Sequence, residues 1–175
     1  MRNTLDKTII IEGPDGAGKT YLGTFLKKEL KRELHHTGGP SEAINIKLQA
    51  LMVMNSKTII FDRCPVISEL IYGEVLRGKS LISKKEANNY FTWIKLKTII
   101  IFCRPPIETI TGVNWLEKPH KSAKHIEQVT DKILKIIYAY DEIIKKLRQK
   151  NLIVINFDRT IQSIELFKER ILDKC

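Results

Sequence analysis

The sequence predicts an α/β domain in three layers, a parallel sheet of about five strands flanked by helices. Three observations point there. Isoleucine-rich apolar runs recur at Thr8–Ile11, Thr58–Phe61, Thr98–Phe102 and Leu152–Ile155, with a weaker one at Leu34–Thr37. They are continuous rather than alternating, as strands buried on both faces of a parallel sheet must be. Segments with helical periodicity separate them, which calls for right-handed crossovers between parallel strands.

Directly after the first run comes Glu12-Gly13-Pro14-Asp15-Gly16-Ala17-Gly18-Lys19-Thr20. It fits the phosphate-loop pattern G-x-x-x-x-G-K-[ST], with strand before and helix after. Glycines let backbone N–H groups turn toward a polyphosphate, a lysine reaches its terminal oxygens, and a hydroxyl ligates Mg²⁺. The positive end of the helix that starts there adds to the same anion site. That helix carries the apolar stripe Leu22, Phe25, Leu26 and Leu30. Leu34–Thr37 then runs into the turn Gly38-Gly39-Pro40, and Ser41–Met54 reads as a helix with Ile44, Leu48, Leu51 and Met52 inward.

Asp62-Arg63 follows the next strand immediately. An aspartate there can hold Mg²⁺ through its water shell, and an arginine can grip a phosphate bidentately. Ser83 and Glu86 form a capping box for a helix that buries Tyr90, Phe91 and Ile94. Arg104 stands at the carboxyl end of the Thr98–Phe102 strand, the edge at which parallel sheets bind ligands. Lys118, His120, Lys121, Lys124 and His125 gather in a short polar stretch inside a lid-like segment, about 112–125. Such a loop can neutralise charge on a transferred phosphoryl group. A long helix over about Lys124–Lys150 buries Ile126, Val129, Ile133, Ile136, Tyr140, Ile143, Ile144 and Leu147, and a last helix follows Thr160.

A chain of 175 residues without repeat or linker is one domain, 1–175. No apolar run approaches the ~18 residues of a membrane span. Its three cysteines have no metal-ligand spacing and read as reduced thiols in a cytoplasmic protein. The net charge of +10 favours an anionic partner, yet the lysines are scattered over several helices. Nucleotide is therefore a better match than nucleic acid.

The segments EGPDGAGKT, HHTGGP and FDRCPVISELIYG together resemble the three landmarks of thymidylate-kinase-like nucleoside monophosphate kinases, over roughly residues 7–110. TGGP, DR-x-P-x-ISE-x-x-YG and CRPP look closer still to small bacteriophage-encoded deoxynucleotide kinases. The resemblance implies ATP as donor, Mg²⁺ as cofactor and a deoxynucleoside monophosphate, thymidylate first, as acceptor for DNA precursor synthesis. Gly13, Pro14, Asp15, Gly16, Ala17, Gly18, Lys19 and Thr20 would then bind ATP, with Lys19 across its β- and γ-phosphates. Thr20 and Asp62 would hold the metal. Asp15, Gly39, Arg63, Ser68 and Tyr72 would face the acceptor, Arg63 on its phosphate and Asp15 near its 3′-hydroxyl. Arg63, Asp15, Lys19 and Arg104 become the catalytic set, assisted by lid lysines Lys118, Lys121 and Lys124. A homodimer is also implied, through helices that are shortened here.

Two departures bear on specificity. Pro40–Lys57 contains no Phe, Tyr, Trp or Arg to stack on a thymine or reach its phosphate. No arginine occurs between Arg104 and Arg148, so the lid relies on lysine. The family's aromatic also falls one residue earlier than Tyr72, counted from the DR pair. These departures leave two alternatives. One is a kinase for a nucleoside or polynucleotide 5′-hydroxyl, with Asp15 or Asp62 as base. The other is a nucleotide-binding module without catalysis.

Overall fold

The computed structural model describes residues 7–37, 43–57, 59–112 and 123–173, with the side chains of 123–126 left aside. Five strands form one parallel sheet: β1 (Thr8–Glu12), β2 (Glu33–His36), β3 (Ile59–Asp62), β4 (Thr98–Cys103) and β5 (Ile153–Phe157), in the order β2-β3-β1-β4-β5. From β1 the chain runs to β2 at the sheet edge and returns to place β3 between them, then crosses to the other side of β1 for β4 and β5. That reversal opens a crevice at the carboxyl end of β1, where open α/β sheets take their ligands.

The helices are α1 (Lys19–Leu30), α2 (Ala43–Asn55), α3 (Pro65–Ser68), α4 (Glu74–Arg77), α5 (Lys84–Ile94), α6 (Ile107–Thr111), α7 (Ala123–Gln149) and α8 (Ile164–Leu172). Alternation along β1 divides the core. Ile9 and Ile11 face α1 and α8, packing with Leu22, Leu26, Phe157 and Phe167. Ile10 faces the other layer, where Phe61, Ile67, Phe91, Ile136 and Tyr140 meet. Every strand residue of β1 and β4 is buried, as their unbroken apolar sequences require. The capping box at Ser83 forms as expected, with Ser83 Oγ accepting from the Glu86 N–H and the Glu86 carboxylate accepting from the Ser83 N–H.

The structure corrects the expected face of α2. Ile46, Ala50 and Val53 are the buried residues, whereas Ile44, Leu48, Leu51 and Met52 are exposed. This helix is apolar nearly all round, so periodicity alone could not choose the inward side. Packing chose the smaller residue set, Ala50 and Val53 with Ile46, because α2 lies close against α3 and α5.

α3 and α4 belong to one helical run, joined by a π turn over Glu69–Gly73. The Glu69 carboxylate, almost fully buried, closes this turn by accepting from Arg77 Nη2 at 2.5 Å and from the Leu81 N–H at 2.7 Å. Single π turns inside helices gather at functional sites, and the crevice is where this one points.

Candidate active site

The loop between β1 and α1 is shaped by its glycines. Gly13, Gly16 and Gly18 have φ of 146°, 82° and 90°, all in the region that favours glycine. At Gly13 a side chain would also strike the Cys103 carbonyl of β4. The turn ends at Gly18, the N-cap of α1, so the positive end of the helix dipole lies at the loop. Lys19 is buried, with its Nζ donating to the Pro14 carbonyl at 2.8 Å. Burial, followed by the nearby Arg63 charge, pulls its pKa down to about 8. A polyphosphate would supply the negative charge this ammonium lacks.

At the neighbouring strand end, Thr20 Oγ1 lies 3.3 Å from Asp62 Oδ2. Asp62 Oδ1 is buried without a hydrogen-bond partner. A hydroxyl beside an incompletely satisfied carboxylate is the oxygen donor set that suits a Mg²⁺–nucleotide complex, in which phosphates and water complete the shell. His36, the register partner of Asp62 on β2, brings its Nδ1 to 2.9 Å from Asp62 Oδ2.

Arg63 anchors the other half. Its φ is +86°, a left-handed conformation for a non-glycine residue, and its N–H donates to the Ile11 carbonyl at 2.9 Å. Strain of this kind persists where surrounding contacts enforce it, and it clusters at ligand sites. Here it turns the side chain back over the phosphate loop. Arg63 Nη2 pairs with Asp15 Oδ1 at 2.5 Å, and Nη1 donates to the hydroxyls of Tyr140 at 3.0 Å and Tyr72 at 3.3 Å. Tyr72 in turn donates to Asp15 Oδ2 at 3.3 Å. Its ring lies under the guanidinium, 5.1 Å from centroid to Cζ. Tyr72 belongs to the π turn, so the widened turn delivers this hydroxyl to Asp15.

Beneath both halves lies Glu12, fully buried at the end of β1. Its carboxylate accepts from the Gly13 N–H at 3.2 Å, the Tyr140 hydroxyl at 3.0 Å and the Cys64 N–H. Burial pushes its pKa up, against the pull of Arg63. One side chain thus ties the phosphate loop to the start of α3 and to α7. Cys64 and Cys103 are buried thiols whose pKa burial raises to about 12, which suits packing and not nucleophilic chemistry.

The crevice therefore brings together Asp15, Lys19, Thr20, Asp62, Arg63 and Tyr72. Ser68 is buried on α3 with an unpartnered Oγ, outside the Arg63 cluster. Arg104 is held elsewhere: its Nε and Nη2 fork onto Asp141 of α7 at 2.9 and 3.0 Å, and Nη1 donates to the Pro105 carbonyl at 2.8 Å. Gly39, Lys118 and Lys121 lie outside the described residues, as does the side chain of Lys124.

Three contributors escaped the sequence reading. Glu12 reads only as the residue that opens the phosphate-loop motif and Tyr140 as a core position, since nothing in sequence joins residues 128 positions apart. Arg159 follows β5, and the carboxyl-end rule that selected Asp62 and Arg104 would have found it had the strand been drawn to Phe157. A methyl group on Gly18 would lie 2.9 Å from Arg159 Cδ, so this arginine crosses the phosphate loop. Lys47 of α2 pairs with Glu86 of α5 at 2.8 Å, away from the crevice cluster. Gln49 is half-buried with its amide oxygen unpartnered.

No family model matches this chain, and no curated protein does. Solved structures do. The YorR protein of Bacillus subtilis, solved in complex with phosphorylated GDP, superposes with a TM-score of 0.75 at 21% identity, covering 96% of this chain and 95% of that one. A deoxyadenosine kinase from M. mycoides with bound dATP gives 0.58 at 18% identity, over 94% and 98% of the two chains. Thymidylate kinase from Candida albicans gives 0.56 at 14% identity, over 96% and 90%. Among the described residues no helix is long and apolar enough to cross a membrane. The five-stranded parallel sheet, the phosphate loop on β1 and these full-length superpositions give this chain the three-layer fold of the P-loop nucleotide kinases.

Proposed function

We propose that this protein is a Mg²⁺-dependent kinase that transfers the γ-phosphoryl group of ATP to a deoxynucleoside monophosphate, dTMP first among the acceptors, for DNA precursor synthesis. The observation that carries the reading is the Asp15–Arg63–Tyr72 cluster set against the phosphate loop, with Arg63 paired to Asp15 at 2.5 Å. An arginine held in place from two sides presents a guanidinium that can take a phosphate without searching for its geometry.

An acceptor phosphate oxygen is already an anion near neutral pH, so the reaction needs alignment and charge neutralisation more than a base. Lys19 leaves the Pro14 carbonyl for the donor's terminal phosphates. Arg63 trades its tyrosine hydroxyls for the acceptor phosphate while Asp15 keeps its orientation and meets the acceptor sugar. Thr20 and Asp62 hold the metal, which supplies Lewis-acid neutralisation of the phosphate charge when bound. Arg104, forked on Asp141, ties the end of β4 to α7, and the lysines Lys118, Lys121 and Lys124 would neutralise charge on the transferred group. On the acceptor side, Ser68 and Tyr72 flank the base pocket in this reading, and no aromatic of Pro40–Lys57 stacks on the base. The exposed apolar face of α2 is the surface on which a homodimer would form.

One observation favours a second acceptor class. Asp15 already occupies Arg63 and could instead accept a proton from a nucleoside 5′-hydroxyl. ADP release from ATP·Mg²⁺ across nucleosides, deoxy- and ribonucleoside monophosphates and a 5′-hydroxyl oligonucleotide separates these. Turnover with deoxynucleoside monophosphates is expected. Turnover confined to nucleosides or the oligonucleotide moves the chemistry to a free hydroxyl. Acceptor-independent ATP binding with no transfer overturns the kinase reading in favour of a binding module.

A further inference from the structure

At the carboxyl edge of the sheet, one oxygen of Asp62 has two neighbours of different chemistry. Thr20 Oγ1 is 3.3 Å from Asp62 Oδ2, and His36 Nδ1 is 2.9 Å from the same atom. The second contact is fixed by the backbone, because His36 and Asp62 are register partners on adjacent parallel strands. The imidazole is 61% exposed on the crevice edge, while Asp62 is 4% exposed and keeps its Oδ1 without a partner. Among the described residues no group of three His, Cys, Asp or Glu side chains gathers anywhere, so an ion here must draw the rest of its shell from Thr20, phosphates and water.

The geometry points to His36 as a nitrogen ligand of the divalent ion that accompanies the donor nucleotide, a proposal that rests on the nucleotide-kinase reading above. Mg²⁺ takes oxygen donors in a strict octahedron and gains nothing from an imidazole. First-row transition ions accept imidazole nitrogen readily. The Thr20 hydroxyl and the His36 ring nitrogen, 3.3 and 2.9 Å from one oxygen of the Asp62 carboxylate, therefore form with it a mixed N/O set. The consequence is a site that binds a first-row transition ion with nucleotide more tightly, relative to Mg²⁺, than oxygen donors alone allow. His36 thereby sets which cation the enzyme loads.

The test uses the full chain with Mn²⁺ and ADP, read by electron paramagnetic resonance. Pulsed spectra of the Mn²⁺·ADP complex are expected to show hyperfine coupling to a histidine nitrogen, identified by isotopic labelling of histidine. That coupling should vanish in His36→Ala. Displacement of Mn²⁺ by Mg²⁺ should become about tenfold easier in the same variant, the scale on which a metal site responds to loss of one supporting group. Mn²⁺·ADP bound without histidine coupling, or coupling that survives His36→Ala, overturns the assignment and leaves the kinase reading standing. No binding of Mn²⁺·ADP to the unaltered protein overturns both. Since His36 is exposed, the variant is expected to keep its fold, and an unchanged thermal transition checks this before either readout.

Discussion

Around the half of the site proposed for the donor, contacts are made largely by backbone and by residues close in sequence, from Gly13 to Thr20, with Asp62 and Arg159 joining from other strand ends and positive φ at three glycines setting the curve. Around the half proposed for the acceptor, they are made by side chains that the fold must bring together. Arg63 reaches Asp15 across 48 positions and Tyr140 across 77. The first half depends on local conformation and tolerates little variation of residue type. The second depends on the helix layer holding Tyr72 and Tyr140 in place, so it can be retuned by remote substitutions that never touch a ligand.

The sharpest way to test this division is to remove one cation from each half. Lys19→Ala is expected to cut kcat by about 100- to 1000-fold or more with the thermal transition intact, since the phosphate loses its closest charge. Unaltered turnover would remove Lys19 from the chemistry. Arg63→Ala should raise the acceptor KM by about ten- to a hundredfold, the loss of a charge-assisted pair, while the ATP affinity stays within a factor of two or so. If ATP affinity falls as much as acceptor affinity, the two halves are not separable.

Glu12 is the residue that joins them, and Glu12→Gln should harm both. The amide offers one acceptor where the carboxylate offers two, leaving a buried donor unsatisfied at a cost of about 1–3 kcal/mol. Chemical denaturation should register that loss together with weaker binding of donor and acceptor. A drop in one affinity alone would show that the connection through Glu12 is not shared.

The donor half should also answer to pH on its own. With Lys19 lowered from 10.5 to about 8, the unfolded chain holds a proton that the folded one has released between those values. Stability of the ligand-free protein therefore gains a contribution as pH rises from about 8 toward 10.5. Polyphosphate binding has the opposite slope, because it needs the ammonium: ATP affinity should fall above pH ~8, by up to about tenfold per unit, with proton uptake visible by calorimetry in buffers of different ionisation heat. Affinity flat through that range would show that Lys19 is not the group ATP engages. The smallest effect belongs to Arg159→Ala, expected to raise the ATP KM about three- to tenfold and leave acceptor KM alone. An acceptor effect there would move Arg159 out of the donor half.

How far the sequence could be read follows the same line. The phosphate loop, the carboxyl edge of the sheet as its ligand side and the position of Asp62 and Arg63 at a strand end were legible because each is marked by contiguous residues there; the strand order was not. The inward face of α2 was not, because Ile44, Leu48, Leu51 and Met52 carry as strong a helical period as Ile46, Ala50 and Val53. Period identifies a helix but cannot say which of two apolar faces the neighbours will accept. Tyr140 was rightly assigned to the core, yet its hydroxyl contact with Arg63 and Glu12 depends on tertiary proximity that no spacing encodes.

The π turn has a consequence for anyone scanning this region position by position. A helical wheel drawn straight through 65–77 puts Ser68 and Tyr72 on one stripe, but the wide turn sets back the phase of everything after it. Tolerance to substitution should follow one rhythm from Pro65 to Ser68 and a shifted one from Glu74 to Arg77. Removing a single residue between them would rotate the upstream half against the downstream half and swing Tyr72 off its aspartate, with every side chain of the cluster still present.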